Sequence, residues 1–252
     1  MNISGNTVFV PGATSGIGLA LARRLQAAGN TVVVGGRRGD LLDQLATDHG
    51  FGTVRIDVTD PASIVTATAS VVERYPELNV LIAMAGVMRA EDWTAPGFLA
   101  DSEEIVTANL LGPIRLIAAL TGHLQTRPDA TIMTVSSGLA HVPLRVTPTY
   151  NATKAAIHRL SETLRLQLAP VGVQVIELVP PAVRTALMPG HETSEAAMPL
   201  DEFADEVMDL IKADPQAREI LVERVKFLRY AEVRGDYDQV VATLNATDPH
   251  AR

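Results

Sequence analysis

Short runs of β-branched and aliphatic residues recur along the chain, each followed by a stretch whose apolar positions return every three or four residues. The runs are Thr7-Val8-Phe9-Val10, Thr31–Gly36, 54–58, 80–84, Thr131–Val135, 173–179 and 219–222. Most are almost continuously apolar, the pattern of parallel strands buried on both faces. Between them, Ile17, Leu21 and Leu25 share one helical face, and 101–125 and 149–169 carry the same period, the latter at Ala156, Leu160, Leu164 and Leu168. Asp60 before Pro61 has the form of a helix start, with the carboxylate as cap and proline in the first turn of a helix to Arg74. This alternation predicts an α/β fold: a doubly wound parallel sheet of about seven strands with helices on both faces. Pro113, four residues after Asn109, has no N–H, and its ring crowds the Asn109 carbonyl. The helix should therefore be distorted there, with that carbonyl accepting from a water or a side chain.

Composition narrows the function classes. No charge block, Ser/Gly tract or long proline run interrupts 7–222, so 1–252 reads as a single domain, with a polar-spotted flap near 187–200. The hydrophobic share of 47% is ample for a core. A net charge of −8 and a pI near 5.2 argue against nucleic acid or an anionic membrane as partner. No apolar run approaches the ~18 residues of a membrane span, and the start lacks the basic and apolar regions of a secretory signal. A cytoplasmic protein is expected. Cysteine is absent, and the six histidines show no ligand spacing, so no metal is assigned.

The first run leads through Pro11-Gly12-Ala13-Thr14-Ser15-Gly16-Ile17-Gly18 into a helix. Strand, glycine-rich turn and helix form the context of a dinucleotide site of the Rossmann type. The glycines admit close backbone approach, and the helix N-terminus offers free N–H groups to a pyrophosphate. Arg37 and Arg38 follow the second run, where an acid would bind the ribose hydroxyls of NAD and an arginine suits the 2′-phosphate of NADP.

Tyr150 and Lys154 stand four residues apart, on one face of a helix. A lysine charge ~6 Å away, at an effective dielectric of ~20, favours a phenolate by ~3 kcal/mol, about two pKa units. That moves a phenol toward acid–base work near neutrality. Ser137, thirteen residues before Tyr150, ends a strand.

With the spacing Gly12-x3-Gly16-x-Gly18 and Ser137, Tyr150 and Lys154, the chain resembles the single-domain branch of the short-chain dehydrogenase/reductase family over about 7–222. Pro180-Pro181-Ala182-Val183 and Ala90-Glu91-Asp92 are faintly similar to its DltE-like oxidoreductase branch. The resemblance implies catalytic roles for Asn109, Ser137, Tyr150 and Lys154, with Asn109 binding a water that links the lysine to solvent. It implies cofactor binding by Gly12, Ser15, Gly16, Ile17, Gly18, Arg37, Arg38, Asp57, Val58, Ala85, Gly86, Tyr150, Lys154, Pro180, Val183 and Thr185. NADP is the expected cofactor, preferred over NAD, and a homodimer or homotetramer the expected assembly. Two departures stand out: Ala83-Met84 replaces the family's Asn-Asn, and Pro11 replaces its threonine partner. Replacing both polar partners should leave apolar packing there. Leu139, Val142, Pro143, Val87 and Met88 suggest a pocket for a small, mainly apolar carbonyl or alcohol. A nucleotide-sensing regulator without turnover and a sugar epimerase of the extended family are the alternatives. The first is disfavoured by the complete catalytic set, the second by chain length and glycine spacing. The tail after Glu223, with Tyr230 and Tyr237, has no readable role.

Overall fold

A computed structural model describes residues 1–246. In chain order the elements are β1 (Thr7–Pro11), α1 (Gly16–Ala27), β2 (Thr31–Gly36), α2 (Gly39–His49), β3 (Gly52–Arg55), α3 (Pro61–Arg74), β4 (Leu78–Ala83), α4 (Phe98–Val106), α5 (Gly112–Leu124), β5 (Thr131–Val135), α6 (Pro148–Leu168), β6 (Gln174–Leu178), α7 (Leu200–Ala213), β7 (Glu219–Ile220), α8 (Lys226–Arg229), α9 (Ala231–Arg234) and α10 (Tyr237–Ala246). The sheet order is β3-β2-β1-β4-β5-β6-β7 and every pairing is parallel.

Each strand divides its residues between two cores. Val8, Val10, Val32, Val34, Val80, Ile82, Met133 and Ile176 face the layer of α1, α2 and α7. Phe9, Val33, Leu81, Ile132 and Val175 face α3, α5 and α6. Burial on both sides is why the runs are apolar throughout.

Several boundaries differ from expectation. The third strand is Gly52–Arg55, not 54–58, because its partner β2 ends at Gly36, paired with Arg55. Asp57 and Val58 therefore lie on the loop beyond it. The seventh strand pairs only at Glu219 and Ile220. Asp60 caps α3 as expected, its Oδ1 accepting from the Ala62 N–H at 2.9 Å. Phe98–Leu124 is by length and composition apolar enough to cross a membrane, although charged residues interrupt its apolar runs. Its Leu116, Ile117, Leu120 and Leu124 are buried under the sheet with α3, so it serves as a core helix.

The distortion expected near Asn109 is a π turn, Thr107–Leu111, between α4 and α5. The Gly112 N–H bonds the Thr107 carbonyl, five residues back. One residue later Pro113 supplies no donor, which gives the wider turn a local cause. Pro113 cannot donate to the Asn109 carbonyl four residues back, and among the described residues no side chain donates to it, which leaves a water as the acceptor's expected partner.

Pro11 is buried at the end of β1. The N–H of Gly12 points to Gly35 of β2 at 2.8 Å, so the Pro11 nitrogen faces β4. Pairing with β4 stops at Phe9 and Leu81, and no ladder donor is lost there.

Candidate active site

The carboxyl ends of the strands open on a cavity of about 850 Å³ at the point where strand order reverses between β1 and β4. Crevices at such switch points are the ligand sites of doubly wound sheets. One wall is the turn from β1 to α1. Gly12 has φ +91°, and a Cβ there would stand 2.6 Å from the Ala85 Cα. The turn is thus pressed against the end of β4 as only glycine permits. Gly12, Ser15, Gly16, Ile17 and Gly18 line the cavity, and the first turn of α1 carries no acid. Its N-terminal dipole is therefore left for an anion.

Arg37 and Arg38 are exposed at one end, Arg38 donating from Nη2 to Thr14 Oγ1 at 3.3 Å. Asp57 and Val58 follow. Partial burial raises the Asp57 pKa, but hydrogen bonds from the Thr59 N–H and hydroxyl, with the Arg37 charge, hold it below its ordinary value. Ala85, Gly86, Pro180, Val183 and Thr185 complete the long wall. The flap, which begins near Leu187, is tied at its base: Val183 bridges Met198, and the Arg184 N–H donates to the Met198 carbonyl at 2.9 Å.

Ser137, Tyr150 and Lys154 line the same cavity. Ser137 leaves β5 in extended conformation, and its Oγ accepts from the Leu139 N–H at 3.1 Å. Tyr150 is in the first turn of α6 and is buried. Lys154, one turn on, donates to the Val135 carbonyl at 2.8 Å and lies 5.4 Å from the Tyr150 ring centre. Burial pushes the phenol up to about 12, against a downward pull from the Ser137 hydroxyl. Burial also brings the lysine down to about 8. In the free protein the tyrosine therefore moves upward by desolvation, the opposite direction to the lowering expected from a neighbouring lysine charge.

Asn109 does not line the cavity. Its Oδ1 accepts from the Val87 N–H and its Nδ2 donates to the Val87 carbonyl, both at 2.8 Å. It braces the loop after β4 beside Gly86, where a Cβ would lie 3.2 Å from Asn109 Oδ1 and 3.8 Å from Lys154 Nζ.

Three contributions were missed. Glu91 receives the Thr149 N–H at 2.9 Å and hydroxyl at 2.7 Å, and the Ser102 hydroxyl at 2.5 Å. It thereby satisfies a free donor at the start of the helix that carries Tyr150. Leu144 lines the cavity, whereas Val142 is packed under Ala231 and Val240 and Pro143 is exposed away from it. The tail closes this end: Leu228 and Leu244 line the cavity, and Asn245 receives the Arg145 N–H at 2.7 Å and donates to the Pro143 carbonyl at 3.1 Å.

The short chain dehydrogenase family model matches residues 6–196. The chain belongs to that family. Among its relatives is the uncharacterized oxidoreductase DltE of Bacillus subtilis, 37% identical over 98% of this chain and 100% of that one. An NADPH-dependent 1-acyldihydroxyacetone phosphate reductase of Schizosaccharomyces pombe is 32% identical over 90% of this chain and 78% of its own. In fold the chain is similar to a short chain dehydrogenase from Burkholderia cenocepacia solved with NADP, with TM-score 0.82, 24% identity and coverage of 99% and 100%. As a short chain dehydrogenase it is an oxidoreductase.

Proposed function

We propose that the protein uses NADP to interconvert a small, mainly apolar carbonyl compound and its secondary alcohol. The observation that carries this is that Ser137, Tyr150 and Lys154 line one cavity together with the glycine turn. The glycine cradle and acid-free helix start fit a pyrophosphate. Arg37, with Arg38 beside it, would take a 2′-phosphate, Asp57 and Val58 the adenine, Ala85 and Gly86 the adjoining ribose, and Pro180, Val183 and Thr185 the carboxamide. The NADPH dependence of the Schizosaccharomyces pombe relative supports the choice. Bound NADPH supplies the hydride.

The chain's own residues handle the oxygen and its proton. Ser137 and Tyr150 hydrogen-bond the carbonyl oxygen and stabilise its developing charge, and Tyr150 gives the proton. A phenol raised to about 12 is fully in its acid form at neutral pH, which suits reduction. Lys154 exchanges the Val135 carbonyl for the nicotinamide ribose, and a water on the Asn109 carbonyl refills its proton. Val87, Met88, Leu139, Leu144, Leu228 and Leu244 give the substrate end an apolar lining.

The test is a panel of aldehydes and ketones followed by NADPH absorbance, with Tyr150→Phe alongside. Turnover by the wild type, lost in Tyr150→Phe with NADPH affinity nearly unchanged, supports the reading. A variant that keeps most of the activity refutes it, and nucleotide binding without turnover across the panel would favour a regulator.

A further inference from the structure

Outside the cavity, four ligand-type side chains converge from distant parts of the chain. His141 comes from the segment after Ser137, His158 from α6, Glu177 from β6 and Glu219 from β7. One nitrogen or oxygen of each lies within 4.8 Å of the same kind of atom in all the others. None lines the active-site cavity. We propose that His141, His158, Glu177 and Glu219 form a structural site for one divalent transition-metal ion of the zinc class.

The donor set is the first argument. Two imidazoles and two carboxylates are a four-coordinate set suited to zinc. A tetrahedral ion with bonds of ~2.0–2.2 Å places its ligand atoms ~3.3 Å apart. Here His158 Nδ1 is 2.9 Å from Glu177 Oε2 and 4.0 Å from Glu219 Oε1, so the distances bracket that value.

The surroundings are the second. The Glu177 side chain is 0% exposed near the end of β6, where a carboxylate needs a cationic partner, and the His158 ring 2.9 Å away is the group that meets it. The Nε2 of His141 is buried with no hydrogen-bond partner, while its ring packs edge-on to His158 at 4.6 Å. Ligating groups are normally held by outer partners, and these are present. Arg229 donates to both oxygens of Glu219, at 2.8 and 3.1 Å, and the far nitrogen of His158 faces Glu162 at 3.8 Å.

The ion's role follows from what the site connects. His158 lies one turn beyond Lys154 on α6, and His141 four residues beyond Ser137. Arg229 extends the cluster to α8, whose Leu228 closes the cavity. A bound ion would cross-link the catalytic helix, the serine loop and the tail without touching substrate.

The experiment uses untagged full-length protein, stripped with a chelator and titrated with Zn²⁺ alone or Co²⁺ alone. The expected result is one ion per chain, a thermal midpoint rising with Zn²⁺ concentration, and tetrahedral Co²⁺ absorption in the visible. His141→Phe keeps the ring packing, and Glu219→Gln keeps a partner for Arg229. Each should weaken Zn²⁺ binding by more than about a hundredfold, beyond the ten- to hundredfold that loss of an outer partner typically costs. Failure of the wild type to bind either ion stoichiometrically overturns the proposal. So does binding that survives unchanged in both variants, and the cluster is then an ion-pair network.

Discussion

Asn109 grips the backbone of Val87 on both sides, its Oδ1 taking the N–H and its Nδ2 giving to the carbonyl, each at 2.8 Å. A side chain in a π turn thus sets the path of the loop that carries Ala85 and Gly86 past Lys154. Asn109→Ala should cost about 1–3 kcal/mol of stability, two hydrogen bonds to a partly exposed peptide. It should cost more in catalysis, about tenfold or greater in kcat/KM, because a displaced loop misplaces the cofactor side of the site. Urea unfolding beside steady-state kinetics separates the two. A variant with wild-type kcat/KM would show the brace to be dispensable.

Lys154 should set the alkaline limit of reduction. Burial lowers its pKa from 10.5 to about 8, so the charge is present below about 8 and lost above it. Tyr150, raised to about 12, keeps its proton throughout that range. The kcat/KM for NADPH-dependent reduction should therefore fall as pH rises through about 8, with no second limb from tyrosine before about 10. The free protein has a linked signature. Between about 8 and 10.5 the unfolded chain holds a proton that the folded one lacks, so stability relative to Lys154→Met should rise with pH across that window. A rate flat to pH 10 would count against the assignment.

Arg37 is exposed beside the cavity, and after β2 the sequence carries no acid before Asp40. A guanidinium on a phosphate is worth roughly 1.5–3 kcal/mol, which predicts a ten- to hundredfold preference for NADPH over NADH. The preference should weaken in salt, as the screening length drops from ~10 Å at 0.1 M to ~3 Å at 1 M. Arg37→Asp should reverse it by repelling the phosphate and accepting from the ribose hydroxyls. Comparing kcat/KM for both cofactors in both proteins decides, and an NADH preference in the wild type would return Arg37 to an ordinary surface charge.

Leu228 packs on the backbone beside Ser137: a Cβ on Gly138 would come within 2.6 Å of Leu228 Cδ1. Leu228→Ala should enlarge the substrate end of the cavity only. The expected outcome is KM raised about fivefold to thirtyfold for small ketones, on ~1–2 kcal/mol of lost apolar contact, with a relative gain for bulkier ones. The KM for NADPH should stay within about twofold. Equal losses for both would place Leu228 in the general architecture of the fold.

Most of the sheet was legible because strands buried on two faces leave long apolar runs, and Val32-Val33-Val34 or Leu81-Ile82 admit few other readings. The site was legible where chemistry is local in sequence, as in the glycine turn and the pair Tyr150 and Lys154. It was obscure where partners are distant. Glu91 reaches Thr149 across 58 residues and Asn245 reaches Pro143 across 102, separations that no periodicity reports. Burial of polar groups was equally hidden. The buried face of α6 carries Thr153, Lys154 and Ser161, which hydropathy would place in solvent. The error over the tyrosine has the same origin, since spacing shows which charges are near but not how far water has been excluded from them.

The π turn gives the helical stretch from Phe98 to Leu124 one residue more than a straight α-helix of that span would hold. Chain length there is consequently a functional variable in its own right. Removing one residue within Thr107–Leu111 would let the hydrogen-bond ladder run regularly, with Leu116, Leu120 and Leu124 still presented to the sheet. The same deletion would swing Asn109 away from Val87. An alignment gap at this point, harmless by every measure of foldability, would mark a descendant that has kept the scaffold and given up the reaction.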